Sequence, residues 1–207
     1  YEAAANTDDG SCIAVVNGCT DETASNYDAA ANTDDGSCIL IPLPDSQTIS
    51  LPSGWYMFST YIDPYNPNMV ELVSSIYESI LIVKNGAGIA YLPTYDYNGI
   101  GDFLQGQGYL IKLNSASELV ISGTKIVPED VTLSFNTGWN LFGYLRDSSA
   151  DLVEIVMPIN DHIIIIKNYA GLAYLPTFNY NGIGNMDPGQ GYLMKLDTAV
   201  DFTYPGN

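Results

Sequence analysis

The sequence predicts a mostly β protein of the α+β class. It should contain two homologous small antiparallel β lobes, each with one short helix, preceded by a disulfide-stapled, loop-rich repeat segment. Three observations support this fold. The 207 residues are 46% hydrophobic, which is enough for a sizeable core. The chain contains internal repeats of two kinds. Short apolar runs, separated by glycine-rich turns, recur along both copies of the larger repeat.

The first 45 residues form the acidic, cysteine-containing segment. Residues 1–12 recur at 27–38 and differ only at Glu2 and Asp28, so the repeat unit is about 26 residues long and we expect the first copy to be truncated. A unit with so little apolar content needs a disulfide or a metal. Cys19 and Cys38 lie within the complete unit, and we predict a bridge between them in an oxidising, extracellular setting. The competing pairing is Cys12 with Cys19.

The same repeats contain the strongest signal for a metal. Oxygen-bearing side chains at closely spaced positions, followed by a glycine that lets the backbone turn, suit a calcium ion with six to eight ligands. The predicted ligands are Asp21, Asn26, Asp28, Asn32, Asp34 and Asp35, and in the first copy Asn6, Asp8 and Asp9. The alternative is an Asx-rich turn that the disulfide closes without a metal.

The spacing of these residues resembles a known repeat. The pattern Gly-Cys-Thr-Asp, Asn-Tyr and Asp-Asp-Gly-Ser-Cys over residues 1–38 is similar to the thrombospondin type 3-like repeats of large secreted bacterial surface proteins. This resemblance implies an extended, secreted stalk that associates with calcium. The run Asn32-Thr33-Asp34-Asp35-Gly36 departs from the Asp-x-Asp-x-Asp-Gly form of the animal repeats.

The rest of the chain is a duplication. Residues 82–113 align without a gap with residues 165–196 and agree at about two positions in three. We place lobe one at residues 46–123 and lobe two at residues 131–207. The link of residues 124–130 is too short for independent motion, so the lobes are expected to pack together.

Each lobe is predicted to contain six strands and one helix. In lobe one, period-two patterns or short β-rich runs predict strands at 48–51, 55–61, 79–84, 89–93, 108–113 and 119–122. Apolar residues at helical spacing predict helices at 68–77 and 150–159, with Asn68 and Ser149 as N-caps. Gln107 and Gln190 lie between glycines and are interpreted as tight entries into a strand.

Aromatic residues are the candidate contact surface of the lobes. Tyr95 and Tyr97 in lobe one match Phe178 and Tyr180 in lobe two. Such rings beside amides can hold sugars, but they are more typical of packing or self-association. Trp55 and Trp139 begin corresponding apolar runs and are predicted to anchor the core. The duplicated lysines are expected to pair with carboxylates or to lie on sheet edges; they are Lys84, Lys112, Lys167 and Lys195.

Charge and motif content exclude several functions. A formal net charge of -18 repels nucleic acid and anionic lipid heads. The sequence contains no run of about 18 apolar residues, so we do not expect it to insert into a membrane. The opening residues lack the basic-then-apolar pattern that would predict a signal peptide. His162 occurs only in lobe two, and no nucleophile–base pattern or phosphate-binding loop accompanies it, so we predict no catalytic residues and no enzyme.

The sequence therefore indicates a non-enzymatic protein outside the cell. The Gly-Trp and Gly-Gln-Gly-Tyr elements of the lobes also resemble modules in the C-terminal parts of secreted bacterial surface proteins. We expect an adhesin or a self-assembling filament subunit with calcium-stabilised stalk repeats, whose partners are copies of itself, surface glycans or protein. The alternative is a carbohydrate-binding module of a secreted hydrolase. A third interpretation is a cell-wall spacer without a ligand.

Overall fold

The computed structural model describes residues 13–40 and 44–206. The chain divides between Leu43 and Pro44 into two compact units, which are treated separately below. The predicted fold class is confirmed: the chain is mostly β, with antiparallel sheets, few short helices and a Cys19–Cys38 disulfide.

The first unit is held by turns more than by strands. Its strands β1 (Asn17–Gly18) and β2 (Thr33–Asp34) form a short parallel pair. Among its described residues, the buried apolar side chains are Cys19 and Ala24. This core is too small to support the unit alone, which explains the need for the disulfide.

Lobe one contains two antiparallel sheets. Its strands are β3 (Asp45–Leu51), β4 (Gly54–Phe58), β5 (Ile62–Pro64), β6 (Ile80–Lys84), β7 (Ala90–Leu92), β8 (Tyr97–Asn98), β9 (Tyr109–Leu113) and β10 (Ser117–Lys125). The five-stranded sheet has the order β4-β9-β6-β7-β8, and the three-stranded sheet has the order β3-β10-β5.

Lobe two repeats this plan. Its strands are β11 (Thr132–Phe135), β12 (Gly138–Gly143), β13 (Ala150–Asp151), β14 (Ile163–Lys167), β15 (Ala173–Leu175), β16 (Tyr180–Asn181), β17 (Asn185–Met186), β18 (Gly191–Leu196) and β19 (Val200–Thr203). The five-stranded sheet has the order β12-β18-β14-β15-β16, and β11 pairs with β19. Each lobe has its own cluster of buried apolar residues.

The helices are shorter than the sequence predicts. In lobe one, α1 (Met69–Leu72) passes into a 3-10 helix at Ser74–Ser79, and in lobe two α2 (Leu152–Val156) passes into one at Met157–His162. Ser74 Oγ donates to the Glu71 carbonyl oxygen at 2.8 Å, a local bond that competes with the α-helix. Pro158 has no N–H to continue the second helix.

One predicted N-cap is confirmed and the other is wrong. Asn68 Oδ1 accepts a hydrogen bond from Val70 N at 3.1 Å. At the second helix the cap is Asp151, whose Oδ1 accepts from Val153 N at 2.8 Å, and not Ser149. Ser149 Oγ donates to Asp187 instead, since it lies two residues outside the helix boundary.

The two lobes join through a reciprocal exchange of backbone bridges. Phe58 at the end of β4 pairs with Gln190 of lobe two, and Phe142 in β12 pairs with Gln107 of lobe one. Ser59 N donates to the Gly189 carbonyl oxygen at 3.0 Å. This junction ends β4 at Phe58, which is why the strand predicted at 55–61 stops three residues early; β5 begins beyond that run, at Ile62. The short link thus joins two lobes of one compact unit.

Candidate functional site

The predicted calcium ligands of the first unit serve as turn-forming groups. The Oδ1 atoms of Asp21, Asp28, Asp34 and Asp35 each accept a backbone N–H two residues ahead, at 2.9–3.0 Å. The hydroxyl of Thr23 also donates to Asp21, and this bond, more than the backbone bond, holds the pKa of the carboxyl below its usual range. The Ser37 side chain lowers the pKa of Asp35 in the same way.

The two predicted asparagine ligands tie distant segments together. Asn26 donates through Nδ2 to the Ser37 carbonyl oxygen and accepts through Oδ1 from Ile39 N, both at 2.7 Å. Asn32 accepts from Val16 N at 3.0 Å and donates to the Ala14 carbonyl oxygen at 2.8 Å. Both amides therefore replace backbone ladder bonds in a unit with very short strands.

The acidic members of this predicted set do not gather at one point among the described residues. Within residues 13–40 and 44–206, no group of three or more His, Cys, Asp or Glu side chains converges as metal ligands would. Asn6, Asp8 and Asp9 lie outside the described residues, as does Cys12. The calcium site therefore stays a prediction, while the Cys19–Cys38 bridge is present with Cα atoms 4.7 Å apart.

Two aromatic pairs project from corresponding points of the lobes. Tyr95 and Phe178 are 77% and 75% exposed, and Tyr97 and Tyr180 are both 52% exposed. Tyr95 and Phe178 each end a single 3-10 turn whose next residue, Asp96 or Asn179, has a positive φ. Both lobes therefore present two exposed aromatic rings at corresponding positions, and these rings are not part of either buried core.

The amides beside these rings are already occupied. Asn98 Nδ2 donates to the Gly101 carbonyl oxygen at 3.2 Å, and Asn98 Oδ1 accepts from Gly101 N at 3.0 Å. Asn181 makes the same two bonds with Gly184 in lobe two. These amides hold their own turns, so they do not supply the sugar contacts that the sequence suggests for this surface.

The prediction that the tryptophans anchor the core is wrong. Trp55 is 46% exposed and Trp139 is 49% exposed. Side chains alternate between the two faces of a strand, and Tyr56 and Phe58 of β4 take the core face. Trp55 therefore lies on the outer face, and the same parity places Trp139 outside.

The duplicated lysines are also placed differently from the prediction. Lys84 and Lys112 hold their Nζ atoms 5.9 and 5.6 Å from the centroid of the Trp55 ring. Lys167 and Lys195 lie 5.8 Å from the Trp139 ring. All four are on inner strands of the five-stranded sheets, and none forms an ion pair among the described residues. Cation–π attraction accounts for their position beside the two tryptophans.

A groove between the lobes was not anticipated from the sequence. It has a volume of about 490 Å³ and combines two loops of lobe one with β11 and β12 of lobe two. We call it the interlobe groove and define it by Asn85, Gln105, Gln107, Asn136, Trp139 and Asn140. Gly86 lies at its wall, where an added Cβ would be 3.3 Å from Leu141 Cβ.

The duplication provides a counterpart of this groove with different chemistry. There, Tyr169 takes the position of Gly86 and Tyr56 takes the position of Asn140. The two tyrosine rings pack with their centroids 4.3 Å apart. At the counterpart, the rings of Tyr56 and Tyr169 therefore fill the space that Asn140 and Gly86 leave open in the interlobe groove.

Three ion pairs join titratable side chains in the described part of the chain. His162 Nδ1 lies 3.3 Å from Asp197 Oδ1, and both side chains are exposed. Lys125 and Asp147 form an exposed ion pair at 2.5 Å. Arg146, which is largely buried, contacts Glu129 at 3.2 Å and the Pro205 carbonyl oxygen. These contacts join separate chain segments, and the contacts of Lys125 and Arg146 border a cavity of about 210 Å³.

Comparisons add no assignment to this geometry. No helix in the described part of the chain has the length and apolar content needed to cross a bilayer. No protein family, no curated protein and no solved structure matches the chain.

Proposed function

We propose that this chain is a non-enzymatic extracellular surface protein that works by contact, as an adhesin or as the subunit of a self-assembling filament. The observation that carries the proposal is the duplicated exposure of Tyr95, Tyr97, Phe178 and Tyr180. Aromatic rings supply much of the binding energy of protein interfaces. Two equivalent patches on one chain allow each copy to contact two neighbours. If the rotation between neighbouring copies does not close a ring, repeated contacts of this kind give an open filament.

The disulfide of the first unit supports an extracellular location. The first unit depends on a disulfide, which persists in oxidising compartments. Contact through the exposed rings removes apolar area from water, which favours association.

Electron microscopy and sedimentation of the full chain test the proposal. We expect filaments or oligomers at high protein concentration, and we expect their loss in the double variant Tyr97→Ala/Tyr180→Ala. Tyr65→Ala is the matched control, because Tyr65 is an exposed tyrosine of lobe one that has Ser149 at its position in lobe two. Monodisperse wild-type particles would contradict the filament version, and turnover of a small substrate would contradict the whole proposal.

Calcium binding by the first unit is a separate part of the proposal. It is supported by the exposed carboxylates of Asp21, Asp28, Asp34 and Asp35, each of which uses Oδ1 for its turn. The second oxygen of each accepts no hydrogen bond within the described residues. Calorimetric titration with calcium should give heat that Asp34→Asn reduces. Equal heat from both proteins would remove Asp34 from the ligand set.

A further inference from the structure

The interlobe groove is lined by uncharged residues in a strongly acidic chain. The protein has 24 acidic and 6 basic residues other than histidine, yet none of the described residues that line the groove carries a charge. An ion would find no counter-charge there. The lining therefore suits a neutral ligand that offers both hydroxyl groups and apolar surface.

Three amide side chains of the groove have unused hydrogen-bonding capacity. In the described structure, the side chains of Gln105, Gln107 and Asn136 form no hydrogen bond with the protein. Each amide offers two donor hydrogens and an acceptor oxygen. Asn140 differs, because its amide links to Asn136 and Gly138 and so fixes the floor of the groove.

The counterpart in the other half shows that the fold does not require these amides. Pro188 stands where the groove has Gln105, and Pro52 stands where it has Asn136. Gln190 occupies the position of Gln107, but its Nε2 donates to Asp187 at 3.1 Å. The same backbone thus folds without them, and the available amides are concentrated in one of the two copies.

Trp139 adds an aromatic wall beside these amides. Its ring is half exposed, and the two lysines near it belong to β14 and β18. The described residues that line the groove include none from those two strands. The ring therefore borders the groove without a charged neighbour on that side, and an aromatic ring can cover the apolar face of a sugar.

We propose that the interlobe groove binds a neutral oligosaccharide, with Trp139 against a pyranose ring and Gln105, Gln107 and Asn136 bonded to its hydroxyls. This site is distinct from the exposed rings of the proposed contact surface, so either can fail without the other. Its volume of about 490 Å³ falls within the range of about 300–1,000 Å³ typical of ligand sites.

A glycan array and titration calorimetry with the full chain test the inference. The probes are neutral hexasaccharides of glucose, mannose, galactose, xylose and N-acetylglucosamine, with a galacturonic acid hexamer as the acidic comparison. We expect at least one neutral probe to bind in preference to the acidic one. Absence of binding to all neutral probes at millimolar concentration overturns the inference, as does preference for the acidic probe.

Variants locate the binding. Trp139→Ala should weaken it at least tenfold. Trp55→Ala should leave it unchanged, since Trp55 has a similar exposure and the corresponding pair of lysines but lies in the other lobe, outside the groove. Gly86→Tyr, which installs the ring found at the counterpart, should also block it. If that variant fails to fold by circular dichroism, Gln105→Ala/Gln107→Ala should give at least a tenfold loss. Binding that survives Trp139→Ala and the double variant overturns the inference.

Discussion

The close contact between the lobes at Gly108 gives the sharpest test of how the two halves hold together. Gly108 N donates to the Leu141 carbonyl oxygen at 3.2 Å. A Cβ added at Gly108 would lie 2.7 Å from the Phe142 carbonyl oxygen, and backbone cannot yield as a flexible side chain would. Gly108→Ala therefore forces the lobes apart at the bridge between Gln107 and Phe142.

The expected loss of stability is about 2–5 kcal/mol. Overpacking costs roughly 1–3 kcal/mol, and each weakened hydrogen bond adds about 1 kcal/mol. The bonds at risk are that of Gly108 N and the nearby one from Gly143 N to the Gly106 carbonyl oxygen, at 2.9 Å. Urea denaturation followed by tryptophan fluorescence measures the change, because each lobe contains one tryptophan, Trp55 or Trp139.

The control for this substitution is Gly206→Ala. Nothing lies within 4 Å of a Cβ at Gly206, so its stability should stay within about 0.5 kcal/mol of the wild type. If Gly108→Ala behaves like this control, the junction is not the close contact described and the reasoning is refuted.

Three further predictions concern other parts of the chain. Burial raises the pKa of the Tyr204 phenol and raises the pKa of Tyr144 to about 12. The two neutral phenols therefore contribute their full stability below the unfolded pKa of 10.0, and this stability is lost as the pH rises through the folded pKa values. Tyrosinate absorbance and circular dichroism should change together, and ionisation without unfolding would contradict this. Cys19→Ser should remove about 3 kcal/mol and unfold the first unit while the tryptophan transition stays unchanged, as amide NMR spectra and fluorescence would show, and a retained first unit would count against it. Asp151→Ala should cost about 0.5–2 kcal/mol by thermal melting and more than Ser149→Ala, whereas equal effects would show that Asp151 is not the cap.

Repetition made the architecture predictable, and alternation made the strands predictable. What alternation could not decide was which face of a strand points inward when both faces carry apolar residues. In β4, Trp55 and Met57 alternate with Tyr56 and Phe58, so the error at Trp55 follows from a pattern that is apolar on both faces. Which of the two faces points inward is decided by how the whole sheet packs on its core.

The interlobe groove depends on contacts between residues far apart in the chain. Asn85 and Gln105 line the same groove as Asn136 only because the two lobes pack together, and no local sequence pattern predicts this. One signal was present in the sequence: the aligned halves differ sharply at Gln105 and Pro188, within a stretch where most positions agree. Divergence between internal copies marks positions that the common fold leaves open.

The exchanged bridges at Phe58 and Phe142 bear on the ancestry of the protein. Each half supplies the partner for a backbone edge that the other leaves unpaired, as two subunits related by a twofold axis do. A half-length ancestor would have completed those edges by pairing with its twin. Fusion of two such units would make the partnership permanent, and it would let the two copies of the shared surface differ, as they do at Gly86 and Tyr169.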